Sequence, residues 1–220
     1  MWFRRAAVLA VSATITSGCI SPLYTWDTHS ASTPRSFDVA ELGREPVATL
    51  GVVAPAGLQG FGPALSHALV GALAATSPPI RGAPPSDTVS ALNEQGLASE
   101  YAELIAGFNR SGILERDRLG RIGSALGCRY VLLPGLAAFD HILVDKFEIW
   151  GIKVVRNRIA VLRLWLQLWD ARTGRIVWES TGEVTAASAL VNVGQAVPLD
   201  EIAGRLWRRM IQEDLLAKSS

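Results

Sequence analysis

Ser66 and His67 put a hydroxyl beside an imidazole, the pair needed when a base activates a nucleophile. Both fall in a stretch with helical apolar spacing, where neighbours in sequence point in different directions. No Gly-x-Ser-x-Gly elbow occurs in the chain. Asp140, His141 and Asp145 form an acid–histidine group that a sharp turn could gather into a metal or acid–base site. A metal centre needs three or four ligands at fixed spacing, so these read as solvent-facing loop residues, and neither metal nor cofactor is expected. Gly57, Gly60 and Gly62 follow an apolar run and open a helix, where a phosphate-binding turn would sit. Their spacing is G-x-x-G-x-G rather than G-x-G-x-x-G, no Lys-Ser or Lys-Thr follows, and Pro63 lacks the N–H that would face an anion. A tight strand-to-helix connection is the better reading. Cys128, in the apolar run from Ala125 to Leu133, reads as a small buried hydrophobe. None of these groups has the geometry of a catalytic site, and an enzyme is not expected.

The other cysteine is defined by what precedes it. Arg4 and Arg5 are followed by an apolar run from Ala6 to Ile15, then by Thr16-Ser17-Gly18 and Cys19. Basic, apolar, small is the order of a secretory leader. An ending in small-Gly-Cys resembles the lipobox of bacterial lipoproteins, whose cysteine is acylated and becomes the first residue of the mature protein. The position three before the cysteine, usually Leu, is Thr16, with Ile15 one step further out. The resemblance implies lipidation at Cys19 and retention at a membrane through that lipid. Ile20 stands where Asp would signal inner-membrane retention, so the outer membrane, facing the periplasm, is the implied address. The alternative is an ordinary cleaved leader with Cys19 as an incidental thiol.

The leader's apolar run covers about ten residues, whereas a spanning helix needs about twenty. No later stretch has that length without charges. Of 21 basic residues the leader holds two, leaving 19 against 20 acidic ones. A near-neutral chain without a basic run lacks the concentrated cationic face of a nucleic-acid binder. No nucleic-acid partner is expected.

One strand carries the residues best suited to partner contact. From Ile159 to Trp169, Leu162, Leu164, Leu166 and Leu168 alternate with Arg163, Trp165, Gln167 and Trp169. A period of two places the leucines on one face and the other four together on the opposite one. Tryptophan and arginine are enriched at binding hot spots, which makes Arg163, Trp165, Gln167 and Trp169 candidate partner-binding residues. The alternative is that helices cover this face as a second core layer, because two exposed tryptophans would form a sizeable apolar patch.

The elements that would hold this strand follow from local pattern. Residues 1–18 form the leader, and the Ser/Thr/Pro-rich segment 19–45 reads as a lipidated N-terminus and flexible tether. A single domain is expected over 46–216. Its first strand is the apolar run Val47 to Val53, and a helix from Pro63 buries Leu65, Leu69, Val70 and Leu73. Proline-rich residues 78–86 suggest a connector or short edge strand. Three helices follow before Gly127, the middle one carrying Tyr101, Leu104, Ile105 and Phe108 on one face. Tyr130 to Leu133 is a second buried strand, and Asp170 to Gly174 a hairpin loop. On the returning strand Ile176, Trp178 and Val184 are expected inward, and the last helix buries Leu199, Ile202, Leu206, Met210 and Ile211. The order predicts an α+β, two-layer domain: a mixed β-sheet with an antiparallel C-terminal meander, packed by helices on one face.

Three segments together resemble a known group. They are Val47 to Val53 with its Gly-rich turn, the run Leu126-Gly127-Cys128-Arg129-Tyr130-Val131-Leu132-Leu133, and the hairpin phrase from Leu166 to Glu179. The chain from about 46 to 216 is similar to periplasmic lipoprotein domains related to the TolB amino-terminal domain. That group includes the activators of penicillin-binding proteins and the curli secretion lipoprotein. The resemblance implies a non-catalytic envelope protein acting through protein contacts. The helical insertion from Ser86 to Gly127 departs from the simplest members.

The expected function is therefore a lipid-anchored envelope lipoprotein that binds or assembles with other envelope proteins. A periplasmic domain binding glycan or peptidoglycan fragments through its tryptophans is the alternative. An assembling secretion subunit is a third reading, but Ile142 to Val155 carries Lys146, Glu148, Gly151 and Lys153 and makes a poor pair of membrane-spanning strands. Nothing in the sequence fixes the oligomeric state.

Overall fold

A computed structural model describes residues 24–34, 36–77, 79–149, 152–188 and 198–216. The leader and Cys19 lie outside the described residues. In chain order the strands are β1 (Tyr24–Ser32), β2 (Val47–Thr49), β3 (Gly82–Ala83), β4 (Tyr130–Ile149), β5 (Ile152–Asp170) and β6 (Arg175–Ser188). The helices are α1 (Gly62–Ala74), α2 (Pro85–Glu94), α3 (Ala98–Ser111), α4 (Arg116–Ala125) and α5 (Leu199–Arg209), which continues as a π-helical segment, Met210–Leu216.

The leucine alternation in β5 organises the molecule. Leu162, Leu164, Leu166 and Leu168 lie on one face and are fully buried. α1 packs there through Leu65, Leu69 and Leu73, and α5 through Ile202, Leu206 and Trp207. The Trp207 indole donates to the carbonyl of Leu65 at 3.2 Å, fixing α5 against α1. The six strands run in the order β1-β6-β5-β4-β2-β3. β4, β5 and β6 form the antiparallel meander, while β2 pairs in parallel with both β3 and β4. The α+β class, the mixed sheet and its C-terminal meander are those expected from the sequence.

Helices also cover part of the other face. There Ala48, Leu50, Val131, Leu133 and Trp169 pack against Leu92 of α2, Leu104 and Phe108 of α3, and Leu119 and Ile122 of α4. This second cover spans β2 and the adjoining ends of β4 and β5. Toward β6 and β1 the face stays polar and open, with Arg163, Thr181 and His29 exposed. The expectation that helices occupy one face alone is corrected to that extent.

The expected tether is corrected more deeply. Residues 24–32 are β1, paired along its whole length with β6 from Tyr24↔Ser188 to Ser32↔Ser180. Tyr24, Trp26 and Thr28 alternate with exposed Thr25, Asp27 and His29, a period of two that a Ser/Thr-rich composition disguises. Tyr24 and Trp26 pack against the main core. The chain then crosses the end of the sheet through a 3₁₀ turn, Val39–Gly43, capped by Asp38 and burying Leu42. The folded unit thus begins at Tyr24, not at 46.

Two further corrections concern the strands. Asp140, His141 and Asp145, expected in a solvent-facing loop, lie instead in β4, which runs on through these residues to Ile149. Leu143 pairs with Arg158, next to the row that ends at Tyr24↔Ser188. Beyond it, among the described residues, β4 and β5 continue paired with each other alone. On β6, a register shift between Leu168 and Trp169 changes which residues face inward: Val177 and Trp178 join the core, while Ile176 is 40% exposed.

Candidate functional site

The four residues of the β5 face separate by position along the strand. Trp169 is 3% exposed and belongs to the second core. The α3–α4 pair above it is held by Arg118–Glu103 at 2.6 Å and Arg121–Glu100 at 2.7 Å. Trp169 is therefore not available to a partner, which corrects its candidacy. Its Nε1 donates to Gln167 Oε1 at 3.1 Å, and Gln167 Nε2 donates to Glu179 Oε2 at 2.5 Å. Burying the indole thus leaves no orphaned N–H.

Trp165 is half-buried, its ring 5.8 Å from that of Phe108. Opposite it on β4 is Gly135, which leaves the indole room to lie on the strand. Arg163, next along, is exposed and ion-paired with Glu183 across the strands. That carboxylate holds the guanidinium above its usual range, first through the hydrogen bond and then through its charge. Trp165 and Arg163 border a shallow depression of about 390 Å³ with His29, Ala31, Thr181 and Glu183. Such a surface can hold a partner by hydrogen bonds and one aromatic edge.

The remaining candidates stay apart. Ser66 is half-buried on α1 and His67 exposed beside it. Asp140 and His141 are both exposed and successive on β4, and successive strand residues face opposite ways. Among the described residues no three His, Cys, Asp or Glu side chains gather as a metal site would require. At the glycine turn the Gly57 N–H is already taken by Gln59 Oε1 at 3.2 Å. Cys128 is buried, and burial pushes its thiol above the ordinary range.

A network that the sequence reading missed closes the end of the sheet. Arg129 NH1 meets Glu41 Oε2 at 2.6 Å, and its NH2 meets Asp170 Oδ2 at 2.9 Å. Tyr130 donates its hydroxyl to the same Glu41 carboxylate, and the Arg129 guanidinium lies 4.9 Å from the Tyr130 ring centre. Burial first, and the Glu41 contact second, raise the Tyr130 phenol well above its usual range. Asp170 Oδ1 also accepts the N–H groups of Arg172 and Thr173, at 2.8 and 3.2 Å. These partners are 88 and 41 residues apart, so only the Asp at the start of a hairpin loop was a local signal.

No family model and no curated protein matches this chain. Solved structures do. The PelC dodecamer from Paraburkholderia phytofirmans is 15% identical, covering 84% of this chain and 96% of that one, with a TM-score of 0.46. Lipoprotein GNA1162 from Neisseria meningitidis is 12% identical, covering 77% of this chain and 96% of that one, with a TM-score of 0.45. These are likenesses of chain path alone.

Proposed function

We propose that this chain is a lipid-anchored, non-catalytic domain of the bacterial cell envelope that works by binding other envelope proteins. The observation that carries the reading is the position of β1: its first residue, Tyr24, stands five residues after Cys19. Five extended residues reach at most about 18 Å. An acyl chain on Cys19 would therefore hold the Tyr24 end of the sheet at the bilayer surface instead of letting the domain swing on a long tether. The β4–β5 ribbon leaves the sheet from this same end, because β1 and β6 pair antiparallel, as do β6 with β5 and β5 with β4. The opposite end, with the β5–β6 turn and the start of α4, would face the periplasm. No helix among the described residues is long and apolar enough to cross a membrane. The lipid is thus the anchor this reading requires. The outer membrane is the proposed address, from Ile20 following Cys19.

Metabolic labelling with a palmitate analogue tests the anchor. The wild-type chain should take the label and sediment with membranes, and Cys19→Ala should lose the label. A wild-type chain that takes no label, or a Cys19→Ala chain that keeps it, would overturn the proposal.

A further inference from the structure

The sheet ends in two unlike edges, β3 and β1. At β3 the edge is two residues long, Gly82–Ala83, with Pro78 and Pro79 before it and Pro84 and Pro85 after it. Shortness and proline both keep an edge from recruiting another strand. β1 runs for nine residues without proline, glycine or lysine, and without a break in its register to β6. Its one carboxylate, Asp27, lies against His29 at 2.9 Å on the open face. The pairing with β6 also fixes which backbone groups are spare. One step beyond Ser32↔Ser180, the Thr33 N–H donates to the carbonyl of Glu179 at 2.9 Å. Hydrogen-bonded residues alternate along an antiparallel ladder, so Thr25, Asp27, His29 and Ala31 turn their N–H and C=O groups to β6. Trp26, Thr28 and Ser30 turn theirs outward, where no strand among the described residues stands.

We propose that β1 binds an extended segment of another envelope protein by strand addition, the segment's backbone pairing with Trp26, Thr28 and Ser30. A row of alternating donors and acceptors selects a polypeptide strand, which presents the matching row at the same spacing. The side chains flanking the edge set the pattern of that segment. On the α5 side lie half-buried Tyr24 and Trp26, with the Arg205 guanidinium 4.1 Å from the Trp26 ring centre. On the open side lie Asp27 and His29, both exposed. The segment that fits alternates apolar with polar residues. The choice of another protein over a second copy of this chain rests on the anchor reading. Two copies joined β1 to β1 about a twofold axis run antiparallel, and a pairing centred on Thr28 sets each Tyr24 level with the other's Ser32. From Tyr24 to Ser32 is about 26 Å at roughly 3.3 Å per residue. The stretch from Cys19 to Tyr24 spans at most about 18 Å, so the two lipids cannot share one bilayer.

The test adds the peptide acetyl-Lys-Thr-Val-Thr-Val-Thr-Val-Thr-Lys-amide to the full lipidated chain in neutral detergent micelles and reads amide hydrogen exchange by NMR. With peptide at about ten times its dissociation constant, exchange at Trp26, Thr28 and Ser30 should slow about tenfold. Asp27 and His29, already bonded to β6, should change little. The same peptide N-methylated at two adjacent central residues, which blocks both of its edges, should protect none of them. Thr28→Pro removes an N–H that β6 does not use, at an edge position where proline is tolerated. That variant should keep its thermal midpoint and bind the peptide about tenfold more weakly. If it is destabilised, the two peptides compared on the wild-type chain decide the matter. No protection, or equal protection by both peptides, overturns the proposal. So does a dimer of the chain alone, seen by sedimentation, that Thr28→Pro dissolves, because a second copy then holds the edge. A wild-type chain that takes no palmitate label would overturn the anchor reading and leave the exchange result unchanged.

Discussion

Trp165 lies so closely over Gly135, its cross-strand partner, that a Cβ on the glycine would stand 1.8 Å from Trp165 Cε2. The indole takes the place of a side chain on β4 and reaches Phe108 of α3, joining the covered half of this face to the open half. Gly135→Ala should therefore overpack the sheet and cost about 1–3 kcal/mol. In a Trp165→Ala background the same change should cost markedly less, because the obstructing ring is gone. Thermal denaturation of the four proteins gives the coupling, and additive effects would contradict the contact.

Trp169 and Arg163 share a face by period but not by environment. Trp169→Ala removes a side chain 3% exposed and should cost about 3–5 kcal/mol. Arg163→Ala breaks an exposed pair with Glu183, screened by solvent, and should leave the urea midpoint almost where it was. Urea denaturation separates the two, and similar losses would mean that α3 and α4 do not cover Trp169 as described.

The same contrast shows what was legible in the sequence. The leucine alternation of β5 has a period of two over a long run, so strand, face and core could all be read from it. β1 has the same period, but it is written in Thr, Ser and His with Tyr24 and Trp26 between them, and its stability comes from pairing with the distant strand β6. Local propensity cannot show that. Ile176 departs from the inward position its period predicts because one register shift, between Leu168 and Trp169, inverts the inward–outward order beyond it.

Cys128 gives a reading of both fold and anchor. Burial raises its thiol above the ordinary value, so at a given pH less thiolate is present and reaction begins at higher pH than for a free cysteine. The native protein should be inert to Ellman's reagent at about pH 8, near the ordinary thiol value. On the proposed lipidation of Cys19, unfolding the mature protein should release one reactive thiol, because the lipid occupies the Cys19 sulfur. Two thiols after unfolding would count against lipidation.

Glu115 caps α4 by accepting the N–H groups of Asp117 and Arg118 at 3.0 and 3.2 Å. The first of these bonds is the main reason its carboxyl is held below the usual range. A carboxyl depressed in the folded state stabilises fully above its unfolded value, near pH 4, and loses that contribution as pH falls through its lower folded value. Glu115→Gln should therefore lower the thermal midpoint at pH 7, and the gap to wild type should close as pH falls below about 4. A gap that stays constant down to about pH 2.5 would show that the cap's charge plays no part.

Asp170 joins three parts of the chain through one carboxylate. One oxygen holds Arg129, which Glu41 grips from the crossing segment, and the other fastens the N–H groups of Arg172 and Thr173 in the β5–β6 turn. With 4% of its side chain exposed, Asp170 cannot be replaced by water without moving the turn. Asp170→Ala should cost about 2–4 kcal/mol, since it removes hydrogen bonds to a charged group and loosens a largely buried pair. Asp170→Asn keeps the Oδ1 acceptor for the turn but sets an NH₂ donor against the Arg129 guanidinium, so it loses the charge and both hydrogen bonds to Arg129 while sparing the turn. Glu41→Gln should couple with either change by about 0.5–3 kcal/mol through their shared arginine. Urea midpoints should fall with unchanged slope, and amide exchange at Arg172 and Thr173 should quicken in Asp170→Ala but not in Asp170→Asn. If both variants speed exchange alike, the charge on Arg129, and not the Oδ1 cap, is what holds the turn.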